Sequence, residues 1–483
     1  MRIGFNVNQT KQQKQLQISI DFRHCLILGE TGSGKTASVI TPILLDRMKK
    51  EHGILIFDFK GNYHYIVKAL AKKYNKLHDV IELGRDYGKF INLLEDLPVE
   101  SLDKIFKPIL GHNEKDKFWE NSALQLAISI LAIIKYMREL TDNYKHSYSI
   151  KSLIEIAGNA EKLKKFKKET LYIINKILNN SNDSSEELIL IKIIAKYYKM
   201  LDNIADDSSL EKMINENEKT ILTSIIGSLI NPIASLIKDN ININEINILE
   251  ELNKRKIIIV SLNDFEENTL NIIVSSIFSK IHLFKMSYPD FSLTVIMDEA
   301  QKVLNNYFPL PLDTLREYQT EVILATQSID NLREGLDSKK VEAYLANLVH
   351  KVYLNGKDMQ LQRFEAFYNG SYYQLTPIEI SNTEKFLAEK EFQKKYSKLK
   401  HLSFKYKGQD VIYSKFSETK LIVKDNNLKA IGKVDFILKH ITKKELCDLF
   451  PDILKLKTTK KFSYGIEEYL KNDNYKGSDY DYY

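Results

Sequence analysis

The residues with the clearest chemistry are residues 29–36, whose letters GETGSGKT fit the pattern G-x-x-x-x-G-K-[ST] of a phosphate-binding loop. Glycines let the backbone wrap around phosphate oxygens, and the loop N–H groups point at the anion. Lys35 is expected to reach the β- and γ-phosphates of a nucleotide, and Thr36 is expected to bind Mg²⁺. We predict nucleotide contacts from Gly29, Glu30, Thr31, Gly32, Ser33, Gly34, Lys35, Thr36 and Ala37.

The sequence on both sides of this loop supports that interpretation. Residues 24–28 form a short apolar run, which is typical of a buried parallel strand, and residues 37–45 can open a helix. The alternative is a glycine-rich turn that fits the pattern by chance. Because a strand precedes the loop and a helix follows it, the context favours a true phosphate-binding loop in an α/β protein.

A second apolar run, Leu293–Met297, is followed directly by Asp298 and Glu299. In an ATPase, Asp298 would hold the Mg²⁺ shell and Glu299 would polarise the attacking water. A strand that ends in Asp-Glu is weak evidence alone and becomes strong beside the loop at Lys35. A further strand, residues 321–325, is followed by Gln327, whose amide could sense the γ-phosphate.

Two features stay open at this stage. Asp58 and Lys60 follow the predicted strand 53–57 and stand where open α/β sheets place their sites, but a simple turn with Gly61 as its pivot fits the spacing equally well. Arg23 lies at the foot of the strand before the loop. It is either an ordinary surface residue or a residue that faces the nucleotide of a neighbouring subunit.

The composition is that of a globular protein without a transmembrane segment. Of 483 residues, 43% are apolar and 28% are charged, and the net charge of +6 permits nucleic-acid binding without arguing for it. The two cysteines, Cys25 and Cys447, indicate a reducing compartment, because Cys25 lies in the strand before the loop. The ten histidines show no metal-binding spacing.

Strand patterns vanish from Ile91 to about Lys254, where apolar residues recur at helical spacing, and they resume at Lys256. We therefore expect an all-α insertion in the nucleotide domain, with a lysine run at 161–168 and a polar loop at 179–187. The lysine run is either a solvated helix face or a contact for DNA or an acidic partner. The predicted boundaries are 1–95 and 251–370 for the two parts of the nucleotide domain, 96–250 for the helical insertion, and 371–483 for a C-terminal docking segment and disordered tail.

Taken in order, these segments resemble the coupling ATPases of type IV secretion and conjugation, the TraG/TraD type, within the FtsK–HerA superfamily of DNA motors. The resemblance extends over roughly residues 15–370. The matching segments are residues 24–45, 58–61, 118–123, 220–229 with the strand at 256, 297–299, Arg316, 326–328 and 347–354.

The resemblance implies a RecA-like nucleotide domain with an all-helical insertion. It also implies a homo-oligomer, a hexameric ring around DNA, with ATP and Mg²⁺ bound between subunits. Within the ring it suggests Arg316 as an arginine finger supplied in trans, Gln327 as the sensor and Arg23 as a second trans contact. Contact with DNA is expected to be directed at the backbone and independent of base sequence.

Two departures from the family shape the expected setting. Typical members begin with a membrane anchor, whereas no span precedes the loop here, and the usual Asn-Pro-Leu motif reads Ile91-Asn92-Leu93-Leu94. We expect a cytoplasmic protein that reaches a membrane, if at all, through partners. The predicted function is an ATP-dependent DNA translocase with a relaxase or secretion partner. The alternatives are a HerA- or FtsK-like motor that works with a nuclease in phage defence or DNA processing, and an ATP-controlled binding switch.

Overall fold

The computed structural model describes residues 2–9, 12–19, 22, 24–33, 35–84, 88–110, 117–180, 185–215, 221–288, 290–304, 310–348, 350–353, 364–368, 371–375, 401–406, 409–414, 422–424 and 433–436. The described strands are β1 (Arg2–Gln9), β2 (Gln12–Ser19), β3 (Cys25–Leu28), β4 (Gly53–Asp58), β5 (Val80–Leu83), β6 (Ile257–Ser261), β7 (Leu293–Met297), β8 (Thr320–Thr326), β9 (His350–Tyr353), β10 (Phe364–Tyr368), β11 (Ser371–Leu375), β12 (His401–Tyr406), β13 (Gln409–Ser414), β14 (Ile422–Lys424) and β15 (Lys433–Phe436). The described α-helices are α1 (Thr41–Lys49), α2 (Tyr63–Lys73), α3 (Leu102–Leu110), α4 (Lys117–Leu140), α5 (Ile150–Ala157), α6 (Ala160–Asn180), α7 (Ser185–Ile204), α8 (Asp207–Asn215), α9 (Ile221–Ile233), α10 (Ile248–Asn253), α11 (Glu267–Ser287), α12 (Leu312–Glu317), α13 (Ile329–Gly335) and α14 (Ser338–Asn347).

A parallel sheet with the strand order β9-β3-β8-β7-β4-β6-β5 positions the predicted site residues. Strand β8 lies between β3, which leads into the phosphate-binding loop, and β7, which leads into Asp298. Because parallel strands all end at the same edge of a sheet, the loop, Asp298 and Gln327 meet at the carboxyl edge.

Both faces of this sheet are buried, which explains why its strands read as continuous apolar runs. Along β3, Leu26 and Leu28 belong to one hydrophobic cluster, and Cys25 and Ile27 belong to another. The first cluster extends into the helices between β5 and β6. The second is closed mainly by α1 and α2. The site therefore stands at the end of a sheet that is packed from both sides.

Helices α3 to α10 lie between β5 and β6, and the described part of this stretch contains no β-strand. They share a hydrophobic core with one face of the sheet, where Ile130 of α4 and Phe57 of β4 lie in the same cluster. The loop between these helices is shorter than the predicted 179–187, because α6 continues to Asn180 and α7 begins at Ser185. None of the described helices is both long and apolar enough to cross a membrane.

The lysine run lies on α6 and is engaged within the chain. The Nζ atom of Lys164 is 2.9 Å from a Glu211 oxygen, and that of Lys165 is 3.9 Å from a Glu169 oxygen. Lys167 is fully buried, with its Nζ atom 2.7 Å from Asp202 and 3.0 Å from Asp207. These pairs favour the interpretation of the run as a helix face over that of a contact for DNA.

The described strands after residue 370 belong to the sheets of the fold. Antiparallel strands in the order β11-β10-β12-β13-β14 extend the central sheet beyond β9. At the other end of the chain, β1 and β2 form a hairpin that pairs with β15 in a separate three-stranded sheet. The tail at 472–483, for which disorder was expected, lies outside the described residues.

Candidate functional site

The phosphate-binding loop connects β3 to α1 through a wide π-helical turn, Lys35–Ile40, which includes Thr36 and Ala37. Gly32 has a φ of +80°, a left-handed conformation that side chains disfavour, so the motif needs glycine here. The Ser33 N–H donates to the Glu30 carbonyl at 3.1 Å, and the Gly29 N–H donates to the Thr326 carbonyl at 3.3 Å. The loop is thereby closed on itself and tied to the end of β8.

The Lys35 side chain lies against its own loop. Its Nζ atom donates to the carbonyl oxygens of Gly29 at 2.6 Å and Glu30 at 3.2 Å. Burial lowers the pKa of Lys35, although the negative charge of Asp298 acts in the opposite direction. The ammonium group is thus held at the loop, where phosphate oxygens are expected to bind.

Thr36 and Asp298 meet directly although 262 residues separate them in the sequence, since the Thr36 hydroxyl donates to Asp298 Oδ2 at 3.1 Å. The other carboxylate oxygen, Asp298 Oδ1, is buried and has no hydrogen-bond partner among the described residues. The Oγ atom of Ser33 is likewise buried and has no hydrogen-bond partner among the described residues. Nine other buried polar atoms in the described residues also lack a partner, so these two indicate a ligand site because of their position at the loop and at the end of β7.

Glu299 is presented by a strained backbone, with φ +62° and ψ +46°. Its Oε1 atom lies 2.9 Å from Lys60 Nζ, and its Oε2 atom lies 3.8 Å from Lys302 Nζ. Lys60 also approaches Asp298 Oδ2 at 3.5 Å. Burial works to lower the pKa of Lys60, but the hydrogen bond to Glu299 and the charges of the two carboxylates prevail and raise it.

Two interpretations were left open for residues 58–61. The structural turn applies to Asp58 and Gly61, and the functional role applies to Lys60. Asp58 is structural, because its buried carboxylate accepts hydrogen bonds from the Gly61 N–H at 2.9 Å and the His64 N–H at 3.1 Å, which fixes the start of α2. Gly61 has a φ of +70°, and a Cβ atom there would come within 2.5 Å of the Asn263 side chain. Lys60, on the same turn, reaches the site.

The predicted sensor and the predicted finger lie at opposite edges of the sheet. Gln327 is half-buried and directly follows β8 at the carboxyl edge. Arg316 is exposed on α12, before β8 begins, and it forms no ion pair with any residue that the structure describes. Strand β8 has seven residues, which span roughly 23 Å, so Arg316 cannot reach the site of its own chain. Arg23 and Gly34, also predicted site residues, lie outside the described residues.

His24 is a buried residue whose role the sequence did not reveal. Its Nδ1 atom accepts from the Val322 N–H at 3.0 Å, and its Nε2–H donates to the Leu312 carbonyl. Burial lowers its pKa to about 4. The neutral ring therefore ties the loop strand β3 to β8 and to the first residue of α12, the helix that carries Arg316.

The residues present fit a magnesium ion. Thr36 and Asp298 supply a hydroxyl and a carboxylate oxygen, and Asp298 Oδ1 is left with free lone pairs. Mg²⁺ is usually held by one or two protein oxygens, several waters and substrate phosphates. Within the described ranges no group of three or more His, Cys, Asp or Glu could hold a metal ion.

Two family profiles match the chain. The family described as "Helicase HerA, central domain" matches residues 1–281, more than half of the 483 residues, and the family described as "TraM recognition site of TraD and TraG" matches residues 292–399. The first match includes the phosphate-binding loop and helices α3 to α10. The second includes Asp298, Glu299, Arg316 and Gln327. Among curated proteins, none matches the chain in sequence.

Solved structures of the plasmid coupling protein TrwB share the fold. TrwB in complex with a non-hydrolysable GTP analogue matches with a TM-score of 0.52 and 13% identity, over 90% of this chain and 97% of that chain. TrwB in complex with ADP and Mg²⁺ matches with a TM-score of 0.51 and 12% identity, over 91% of this chain and 96% of that chain. The α/β, RecA-like expectation is confirmed.

Proposed function

Because the chain belongs to the family of the HerA helicase central domain, we propose that it is a P-loop ATPase that moves DNA, of the conjugative coupling type. The observation that carries this proposal is the meeting of Thr36 with Asp298, 262 residues apart, beside Lys35 and Glu299 at one edge of the sheet. A loop that binds phosphate and a carboxylate pair that serves metal and water are the two halves of an ATPase site.

Each residue has a distinct task in hydrolysis. Lys35 binds the β- and γ-phosphates, and the loop N–H groups from Gly29 to Ala37 bind phosphate oxygens. Thr36 and Asp298 hold Mg²⁺, which when bound neutralises charge on the phosphates. Glu299 orients and polarises the water that attacks the γ-phosphate. Positioning and charge stabilisation supply the rate enhancement, without a covalent intermediate.

Arg316 serves the neighbouring subunit. Its exposed position at the amino edge of the sheet, about the length of β8 from its own site, supports a role in trans. We assign Arg316 as the finger that stabilises transition-state charge in the next subunit, and Arg23 as a second trans contact. Gln327, at the end of β8, acts as the γ-phosphate sensor. Such an arrangement requires a neighbouring subunit, and we propose a hexameric ring.

The ring holds DNA through contacts with the phosphate backbone of the DNA, which do not depend on base sequence. The proposed nucleotide domain comprises 1–95 and 251–370, and the proposed helical insertion comprises 96–250. In 371–483, strands β11 to β14 extend the central sheet, and a docking role for a partner is proposed in addition to that structural role. The match of residues 292–399 to a TraM recognition family supports a relaxosome or secretion partner. A nuclease partner would instead indicate work in phage defence or DNA processing.

Steady-state ATPase assays with single-stranded, duplex and forked DNA test the proposal. We expect turnover to rise with DNA of any sequence and to fall with added salt, with a log–log affinity slope of about −0.9 per phosphate contact on duplex DNA. Lys35→Ala should abolish turnover in a protein that stays folded. If no form of DNA changes turnover at low salt, the translocase is excluded and the ATP-controlled switch remains. Wild-type turnover by Lys35→Ala would contradict the site itself.

A further inference from the structure

Lys60 contacts both carboxylates of the Asp298–Glu299 pair. Its Nζ atom is 2.9 Å from Glu299 Oε1 and 3.5 Å from Asp298 Oδ2. The same Asp298 oxygen accepts the Thr36 hydroxyl at 3.1 Å. Lys60 and Thr36 thus contact the same oxygen of the carboxylate that would hold the metal, so a bound divalent cation would lie close to the ammonium group.

Hydrogen bonds and close packing hold the turn that carries Lys60 in place. Asp58 accepts from the Gly61 and His64 N–H groups, and the Leu262 N–H donates to the Asp58 carbonyl at 3.0 Å. Gly61 packs so closely on Asn263 that a Cβ atom would clash. The backbone of Lys60 is therefore held in place, while its side chain, 44% exposed, has room to move.

We propose that Lys60 is a built-in counter-ion of the site, whose ammonium group competes with the divalent cation for Asp298. A divalent cation and an ammonium group that contact the same carboxylate repel each other. Binding of the cation displaces Lys60 from Asp298 and loosens its contact with Glu299, so that metal binding also frees the carboxylate that faces water. This inference rests on the proposed function, because it concerns the same ATP site.

The site contains a matched control in Lys302. Its Nζ atom lies 3.8 Å from Glu299 Oε2 and has no contact with Asp298 within the described part of the chain. Lys302 is 35% exposed against 44% for Lys60, so both side chains can be shortened without opening the core. Only Lys60 should influence how the site responds to a divalent cation.

The test measures the affinity for fluorescent mant-ADP in Mg²⁺ and in EDTA, for the wild type, Lys60→Met, Lys60→Arg and Lys302→Met. In EDTA, Lys60 partly replaces the missing cation, so Lys60→Met should bind more weakly there. In Mg²⁺ the competitor is gone, so the variant should bind as well as the wild type or better. We expect the ratio of the two affinities to grow by about tenfold, as for loss of one charge-assisted contact.

Lys60→Arg keeps the charge and should retain the wild-type ratio, and Lys302→Met should also leave it unchanged. An unchanged ratio in Lys60→Met, or an equal increase in Lys302→Met, overturns the inference, since the effect would then be absent or merely one of net charge. A wild-type protein that does not bind mant-ADP under either condition overturns the proposed nucleotide site itself. Binding with an unchanged ratio overturns the Lys60 inference alone.

Discussion

Both edges of the parallel sheet carry buried charged groups, but the groups are fully paired at the amino edge and incompletely paired at the carboxyl edge. At the amino edge, Arg47 and Glu321 form a bidentate pair with side chains 1% and 0% exposed. The Thr294 hydroxyl donates to Glu321 at 2.7 Å, and His52 Nδ1 lies 3.0 Å from the Thr294 oxygen. Every member of this network has a partner.

At the carboxyl edge the polar groups are left incomplete. Ser33 Oγ and Asp298 Oδ1 are buried without a partner among the described residues, and Glu299 has a left-handed backbone. The partners that do exist there, such as Lys60, are half-exposed and can be exchanged. The amino-edge network is fully paired, whereas two buried polar atoms at the carboxyl edge are not, so incomplete pairing distinguishes the ligand site from the structural network.

The largest expected effect joins the two edges. Arg316→Ala should reduce ATP turnover by roughly 10³- to 10⁵-fold, if the finger from the amino edge of one subunit serves the carboxyl edge of the next. Arg316→Ala leaves an intact pocket without a finger, and Glu299→Gln leaves a finger beside a dead pocket. Mixed rings of the two inactive variants contain interfaces that unite finger and pocket.

These mixed rings should therefore hydrolyse ATP, as measured by phosphate release. Their formation is checked by native mass or crosslinking. The contrary result is clear: mixed rings that form and yet stay as inactive as their parents show that Arg316 does not act in trans.

Glu299→Gln should lower turnover by roughly 10²- to 10⁴-fold, because an amide cannot polarise water as a carboxylate does. ATP affinity should be retained, and the assembled state should accumulate. The midpoint of thermal unfolding should change little, because the Lys60–Glu299 ion pair that the substitution weakens is partly exposed. A loss of nucleotide affinity as severe as in Lys35→Ala would make Glu299 a binding or structural residue instead.

Glu321→Gln should lower the stability of the fold, whereas Glu299→Gln should lower turnover. It removes the buried carboxylate from the Arg47 guanidinium, which keeps Asp46 at 2.9 Å as a second carboxylate partner, so the loss of unfolding free energy should lie at the lower end of about 3–5 kcal/mol. Nucleotide affinity of the folded fraction should not change. The control is Glu95→Gln, which breaks an Arg138–Glu95 pair of the same bidentate type, with both distances 3.1 Å, at the surface.

Because the Arg138 side chain is 37% exposed, the control should cost no more than about 1 kcal/mol. Urea unfolding monitored by circular dichroism measures both variants. Equal losses in the two would remove the distinction between the edges. So would a Glu321→Gln protein that is as stable as the wild type.

The sequence revealed the elements whose burial is simple. Strand β7 was predicted with its observed bounds, because a parallel strand covered on both faces reads as an apolar run, and the loop motif located Lys35 and Thr36. The partners of His24, which lie 288 and 298 residues away, have no local signature. Neither does the division of roles between Asp58 and Lys60, which depends on how the turn packs on Asn263. The antiparallel strands after β9 were missed although β12 carries the alternation of a strand, with Leu402, Phe404 and Tyr406 separated by polar residues.

The smallest expected effect concerns pH at the amino edge. The pKa of His24 is lowered to about 4 by burial, against 6.5 for an unfolded chain, with Arg316 lowering it further and Asp313 opposing. On acidification the unfolded state takes up its proton first, so stability is complete above pH 6.5 and is lost as pH falls toward 4. From pH 7 to pH 5, His24 alone should cost about 2 kcal/mol.

His24→Gln tests this directly, because glutamine can both donate and accept in place of the ring but does not titrate. The drop in unfolding free energy between pH 7 and 5 should be smaller by that amount than in the wild type, and His78→Gln, at a position that is 74% exposed, is the control for the exchange of a histidine for glutamine. An identical pH response in wild type and His24→Gln would contradict the prediction. Protonation of His24 also removes the acceptor for the Val322 N–H of β8, whereas the Nε2–H can still donate to the Leu312 carbonyl of α12. Acid should therefore loosen the start of β8, which follows the helix of Arg316, before it affects the carboxyl edge, and the complementation of mixed rings should fail at a higher pH than mant-ADP binding does.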